Sequence, residues 1–331
     1  MLRRAGISRP AFLLTLSFKL HGGLLLSNLT QIVIYGMTVG SVLALVALGY
    51  SLVFSTTRIV NFAHGSMLVV AGYLTFVLVR SGLNVWLAFI AVVGLSAIVG
   101  LLVEVVAIRP LGKFDPATNV GWIFTTFAVG LVALDLIKLT IGAEPRAIPD
   151  LVDSVLGWHG SVLNNVAFQP NDALIIVTAL GLMVALELLE RKTMVGRAIR
   201  AVAQDKQTAS LMGINTQGMV TLTFAMAGGL AAIGAVLLAP RLSIKLESGQ
   251  LLGLQAFVAV VLGGLGSTRG AILGGYVLGF TGAIVRTVGI PGVVSSSNGS
   301  TFEPLVVFAL FLIVLVVRPY GILGKPQVDK V

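Results

Sequence analysis

Residues 58–66, RIVNFAHGS, place Asn61, His64 and the Gly65–Ser66 pair beside or within an apolar run. Their side chains can donate and accept hydrogen bonds, but they do not form a catalytic set. Polar groups at such a position are costly unless they are paired or line a wet cavity. Two readings stay open. In one, Asn61 caps a helix beginning near Phe62 and His64 bonds a neighbouring carbonyl. In the other, the same groups line a wet cavity, where a helix N-terminus offers free N–H groups to a substrate carboxylate; both readings can hold together.

A second stretch, 196–213 within GRAIRAVAQDKQTASLMGIN, has the pattern of an amphipathic helix. Ile199, Val202 and Ala203 fall on one side, Arg197, Arg200, Gln204 and Gln207 on another, and Gly213 is a stop. Such a helix can lie on anionic lipid or dock into the groove of a soluble partner. A third stretch, GLQAFVAVVLGGLGSTRGAILGG, gathers glycines around Arg269. No Gly-Lys-Ser/Thr follows them, so the chain does not bind ATP by a phosphate loop, and no cofactor is expected. Paired acids, a Ser–His arrangement and an HExxH motif are also missing, which argues against an intramembrane enzyme.

The elements that must position these residues are membrane helices. Of 331 residues, 56% are hydrophobic and 11% charged, with a mean hydropathy of +1.01, far outside the range of soluble domains. A bilayer core of about 30 Å needs roughly 20 apolar helical residues. Eight runs qualify: 28–54, 63–79, 85–108, 120–141, 173–189, 219–240, 271–288 and 302–317. The glycine-containing run 251–265 reads as a half-spanning or re-entrant segment, although the parity of the downstream loops holds only if it counts as a crossing. The first span exceeds the hydrocarbon thickness, so it tilts, breaks or protrudes. Its stripe Gly36, Gly40, Ala44 and Ala47 suits close helix packing. The spans 28–54 and 219–240, with Gly36 and Gly228, each precede a short glycine-containing run, a faint internal repeat of the kind transporters use. The expected fold is an all-α polytopic membrane protein of about eight transmembrane helices, with possible broken or re-entrant segments and a cytoplasmic helix at 196–213.

The 22 Lys+Arg against 13 Asp+Glu give a net charge of +9. The charges sit between the apolar runs, so they report orientation in a lipid bilayer rather than a nucleic-acid partner. Arg109 and Lys113, then Arg191, Lys192, Arg197, Arg200 and Lys206, mark cytoplasmic loops. The loop 142–172, with Glu144, Asp150, Asp153 and Asp172 against Arg146, belongs outside. The tail 321–331, with Lys325 and Lys330, follows Arg318 on the inside. Residues 1–27 form an N-terminal extension or an interfacial helix. Its Arg3, Arg4, Arg9 and Lys19 favour the inside, whereas counting spans back from Arg109 puts it outside.

Smaller polar groups have local readings. Asp135 and Lys138, one turn apart, predict an ion pair. Glu187 and Glu190 join Arg191 and Lys192 in a charge cluster, while Glu104 and Arg109 contact each other or a partner. His159, beside Trp158, lacks a second metal ligand nearby in sequence. No Cys is present, so there is no disulfide framework.

From about residue 30 onward, the chain resembles the branched-chain amino-acid ABC transporter permeases of the H type. The resemblance is carried by GYSLVFSTTRIVNFAHGSM, GRAIRAVAQDKQTASLMGINTQ, AFVAVVLGGLGSTRGAILGG and the tail RPYGILGKPQVDKV. It implies a multi-pass subunit of a bacterial inner membrane that pairs with a second, M-type permease. It also implies two cytoplasmic ATP-binding subunits and an extracytoplasmic amino-acid-binding protein. By the same resemblance Gly196, Arg197, Arg200, Ala203, Asp205, Ala209, Met212 and Gly213 couple to the ATPases, and Asn61, His64, Gly65 and Ser66 lie near the path. Relatives of this pattern also handle urea, short amides and other amino acids.

Overall fold

The computed structural model describes residues 9–112, 120–148, 161–163, 166–241, 243–289, 298–318 and 320–324. Arg3, Arg4, Lys113, Asp150, Asp153, Trp158, His159, Lys325 and Lys330 lie outside the described residues.

The bundle is helical. Its elements are α1 (Arg9–Thr57), α2 (His64–Arg80), α3 (Val85–Val103), α4 (Gly121–Thr140), α5 (Pro170–Lys192), α6 (Met194–Gln204) and α7 (Lys206–Leu211). They are followed by α8 (Thr216–Leu238), α9 (Leu246–Gly263), α10 (Thr268–Val288) and α11 (Gly299–Val317). Eight of these helices are long and apolar enough to cross a membrane. A small hairpin of β1 (Ser161–Leu163) and β2 (Val166–Phe168) pairs antiparallel in the loop before α5.

At 1.5 Å per residue, the 49 residues of α1 extend about 73 Å, more than twice the hydrocarbon core. The helix runs through position 27 without a break, and the portion apolar enough to span is Ser27–Thr57. The first span is therefore unbroken, and of the three outcomes its length allowed, tilt and protrusion remain.

The glycine stripes are where backbones meet. Gly275 lies against Ala44 and Gly279 against Gly40, seating α10 on the predicted face of α1. Gly100 and Gly228 do the same between α3 and α8, facing the carbonyls of Phe224 and Ser96. In lipid, helix association rests on such close packing, because the surrounding tails are as apolar as the helices.

These contacts form a pattern. In α1–α2–α3 and α8–α9–α10, the first helix of each triplet packs on the third of the other, and the two middle helices cross. The triplets run in opposite directions. The end of α1 meets α6 through Arg58, and the start of α8 meets the end of α3 through Gln217 and Glu104. This is the arrangement of an inverted repeat, and the faint similarity around Gly36 and Gly228 lies on its two first helices.

The segment read as half-spanning is instead α9, whose 18 residues cover about 27 Å and are apolar enough to cross. It begins at Leu246, five residues before the apolar run, because Glu247 and Gln250 are exposed and needed no apolar neighbours. Helix α2 is the shorter partner, 17 residues after a non-helical turn. With both counted, successive helices alternate ends, and Ser27 lies at the end opposite Arg58, Arg109, Arg191, Arg197, Arg200 and Arg269.

That basic end is fastened by side chains. Glu187 accepts from Arg269 at 2.7 Å and pairs with Arg191 at 3.0 Å, while Thr268 donates to Glu190. The expected cluster thus forms, with Arg269 added from the far side of the sequence. Glu104 is fully buried at a π-helical turn that continues α3, where it accepts from Gln217 and Thr221 and lies 3.6 Å from Arg109. The Asp135–Lys138 pair closes at 2.9 Å on the exposed side of α4.

Candidate functional site

Helix α1 ends because Arg58 takes a left-handed conformation (φ 59°), which stops the helical ladder one residue past Thr57. The chain then turns back without helix until His64. Within that turn Asn61 Oδ1 accepts from the Ala63 backbone N–H at 3.1 Å. Asn61 thus fastens the turn rather than capping the helix: the helix starts at His64, two residues later than Phe62, with Ala63 as its N-cap and no side-chain cap bond.

His64 is buried against α1, and its Nε2 lies 3.2 Å from the Val46 carbonyl. A carbonyl only accepts, so Nε2 carries the proton and donates. Among the described residues its Nδ1 has no hydrogen-bond partner. The ring fits because position 49 is glycine: a Cβ there would stand 2.7 Å from the imidazole. Tyr50 meets the ring edge-on with centroids 4.5 Å apart. A row of rings continues from Tyr50 to Phe257, Phe62 and Trp122, at centroid spacings of 6.1, 6.1 and 6.3 Å.

Gly65 is the crossing point of α2 and α9. A Cβ on Gly65 would lie 3.1 Å from the Gly249 carbonyl and 3.2 Å from the Gly253 Cα. Ser66, also buried, packs beside Gly130 of α4. The four residues singled out at 61–66 thus form one buried turn and crossing. Tyr50, Phe257, Gly49, Gly249 and Gly253 complete it, and only the fold brings them there. The Gly49–Tyr50 pair and the glycine spacing 249, 253 were the available signals. Among the described residues, no group of His, Cys, Asp and Glu is placed to hold a metal ion.

The second candidate region departs from the reading of one helix over 196–213. Two helices form, α6 and α7, separated at Asp205, whose backbone is extended (φ −155°). Asp205 Oδ1 accepts from the N–H groups of Gln207 and Thr208 at 2.8 and 3.0 Å, and Oδ2 accepts from the Thr208 hydroxyl. An Asp three residues before Thr is a helix-start signal that amphipathic periodicity overrides when read alone. Gly196 is buried at the α5–α6 corner against the backbone of Glu190, and Thr193 caps α6.

Ile199 and Val202 turn inward while Arg197 and Arg200 stand exposed, as the periodicity requires. Ala209 is buried beneath α7, Gly213 (φ 81°) ends it, and Met212 is exposed. Leu211, next to Met212 in the chain, is exposed as well, and so is Met194 at the start of α6. A contact absent from any sequence pattern joins the two regions: Arg58 Nη2 donates to the Ala203 carbonyl at 3.0 Å. Replacing Asp205 by Ala removes the cap of α7 and should cost about 1 kcal/mol locally. Hydrogen exchange should then quicken across 206–211 while the spanning helices stay protected; unchanged exchange there would show that the cap is dispensable.

Eight long apolar helices, packed at glycine crossings around a buried polar turn, define the class as a multi-pass membrane protein. The chain belongs to the family described as branched-chain amino acid transport system / permease component, whose model matches residues 32–315. It is 34% identical over 311 residues to the high-affinity branched-chain amino acid transport system permease protein BraD of Pseudomonas aeruginosa, covering 91% of this chain and 97% of the relative. To LivH of Escherichia coli K12, a protein of the same description, it is 33% identical over 89% of this chain and 96% of the relative. The galactofuranose transporter permease protein YtfT of the same organism is 28% identical, covering 83% and 76%. Among solved structures, PsaBC from Streptococcus pneumoniae in complex with Fab aligns over 90% of this chain and 92% of that one. At 14% identity its TM-score is 0.43, below the level at which a shared fold follows.

Proposed function

We propose that this chain forms half of the translocation path of an ATP-driven importer for branched-chain amino acids in a bacterial inner membrane. It pairs with a second, M-type permease, two cytoplasmic ATP-binding subunits and an extracytoplasmic binding protein. Family membership supports the transport role, and the relatives of highest identity named above are amino-acid permeases. One structural observation carries the coupling: α6 and α7 present Arg197, Arg200, Leu211 and Met212 outward at the basic end, which the positive-inside rule assigns to the cytoplasm.

ATP hydrolysis belongs to the partners, and this subunit contributes a movable path. Arg58 links the last turn of α6 to the 58–63 turn that carries Asn61 and leads into His64. Displacement of α6 by a nucleotide-driven partner thereby pulls on the α2–α9 crossing, biasing one of two arrangements of the path.

Labelled leucine and, separately, urea should be offered to vesicles holding the chain with its partners, with and without ATP. ATP-dependent leucine uptake is expected. Urea uptake would change the substrate, and ATP-independent flux would mean a channel. Reversing charge at Arg197→Glu and Arg200→Glu together should lower uptake and uncouple ATP hydrolysis while membrane insertion persists. Unchanged uptake in that double variant would remove the coupling assignment.

A further inference from the structure

A cavity of about 50 Å³ lies between α1, α2, α8 and the start of α9. Val46, Leu68, Leu238 and Leu252 are among the side chains that wall it. Positions 72, 234 and 249 on its lining are glycine, and neighbouring side chains pack directly onto the backbone there. A Cβ at Gly234 would approach Val46 Cγ2 to 3.2 Å, and one at Gly72 would meet the Ile244 side chain at 2.8 Å. Polarity is confined to one part of the wall, where Ser243, Lys245 and Ser248 stand.

Three features set what fits. A water needs about 10–15 Å³, so the cavity has room for several, yet its walls offer them few partners. An alkyl branch is the better occupant. The cationic Lys245 and the two hydroxyls suit a carboxylate on the same small molecule. The floor is not an arbitrary point in the bundle: Val46 supplies the carbonyl that holds His64, and Gly249 packs on Gly65. The cavity therefore ends directly on the turn and crossing described above. Ile244 is part of its wall, and the backbone of that residue pairs with Arg146 at 3.0 and 2.8 Å. Arg146 in turn lies over the Phe76 ring at 5.0 Å.

We infer that this cavity is the subsite for the aliphatic side chain of the transported amino acid, inside one subunit. The alkyl group lies against Val46, Leu68, Leu238 and Leu252, and the carboxylate faces Lys245. Residues 243–245 and Arg146 form the cover that opens to admit it. The inference rests on the proposed import of branched aliphatic amino acids and adds to it the place where side-chain size is read.

The test uses the assembled transporter in vesicles and compares initial uptake of valine, leucine and norleucine. Selectivity of the binding protein is common to all variants and cancels from the ratios. Leu252→Ala enlarges the subsite and should raise the norleucine-to-valine ratio by roughly tenfold, the scale at which a hydrophobic pocket reads one methylene. Ala235→Phe, on the same wall, should lower leucine more than valine. Lys245→Gln, at an exposed position, should raise KM for all three with little change in maximal rate. Uniform scaling of all solutes in Leu252→Ala, with unchanged KM in Lys245→Gln, overturns the subsite: the cavity is then a packing defect or a lipid-tail site. Failure of the unaltered transporter to move any of the three solutes would instead overturn the proposed function.

Discussion

Replacing Gly253 by Ala should abolish most transport while leaving the protein inserted in the membrane. A Cβ at this position would overlap the Cα of Gly65 and stand 3.1 Å from its amide nitrogen. Both neighbours are backbone, so no side-chain rotation relieves the contact, and α2 must move off α9. Overpacking of a tight core costs about 1–3 kcal/mol, and each 1.36 kcal/mol is tenfold in an equilibrium or rate. Here the displaced elements carry His64 and Asn61, so uptake should fall at least roughly tenfold. Gly181→Ala is the control, since a Cβ there meets nothing within 4 Å. Full transport by Gly253→Ala would mean that the crossing is not part of the moving path.

The sequence revealed the crossing only in part. Gly65 was visible because it sits beside Asn61, His64 and Ser66, polar residues out of place in an apolar run. Gly253 was legible as a member of the glycine-containing run 251–265, but its contact with Gly65 was not, because packing between distant helices leaves no local pattern. The stripe Gly36, Gly40 and Ala44 was legible from spacing alone, yet its partner was not: Gly275 and Gly279 lie far along the chain, and contact between repeats leaves no local pattern. Seven of the eight long spans followed from the thickness of a bilayer, which imposes a length on any helix that crosses it; the eighth is α9, while 63–79, expected as a span, is the shorter α2. At 196–213 the amphipathic period was right for α6, since Ile199 and Val202 turn inward. It carried the helix too far because Asp205 fits the polar face as well as it caps a new helix. Arg58 drew no notice, since a basic residue at a helix end is ordinary until its reach to Ala203 is seen.

Loss of the Arg241 side chain should destabilise the bundle more than any other single ion-pair change. Asp172 is fully buried, and Arg241 pairs with one of its carboxylate oxygens. The same carboxylate accepts from the Gln169 backbone N–H at 3.1 Å, closing the capping box of α5, and from the Thr38 hydroxyl at 3.4 Å. Removing the arginine leaves a charge buried with only these partners, and breaking a buried pair in this way costs about 3–5 kcal/mol. In detergent, Arg241→Ala should therefore lower the thermal unfolding midpoint by roughly 10 °C. Replacing both residues, Arg241→Met with Asp172→Leu, removes the stranded charge and should recover much of that loss. Additive losses in the double variant would contradict the pairing. The consequence reaches function because Asp172 joins α1, α5 and the residues that follow α8, and Arg241 lies just before the 243–245 cover of the cavity. A bundle freed at this point keeps its basic end, fastened separately by Glu187 and Arg269. Its outer half should loosen first, so in Arg241→Ala hydrogen exchange should rise across 243–249 and leave 187–192 unchanged.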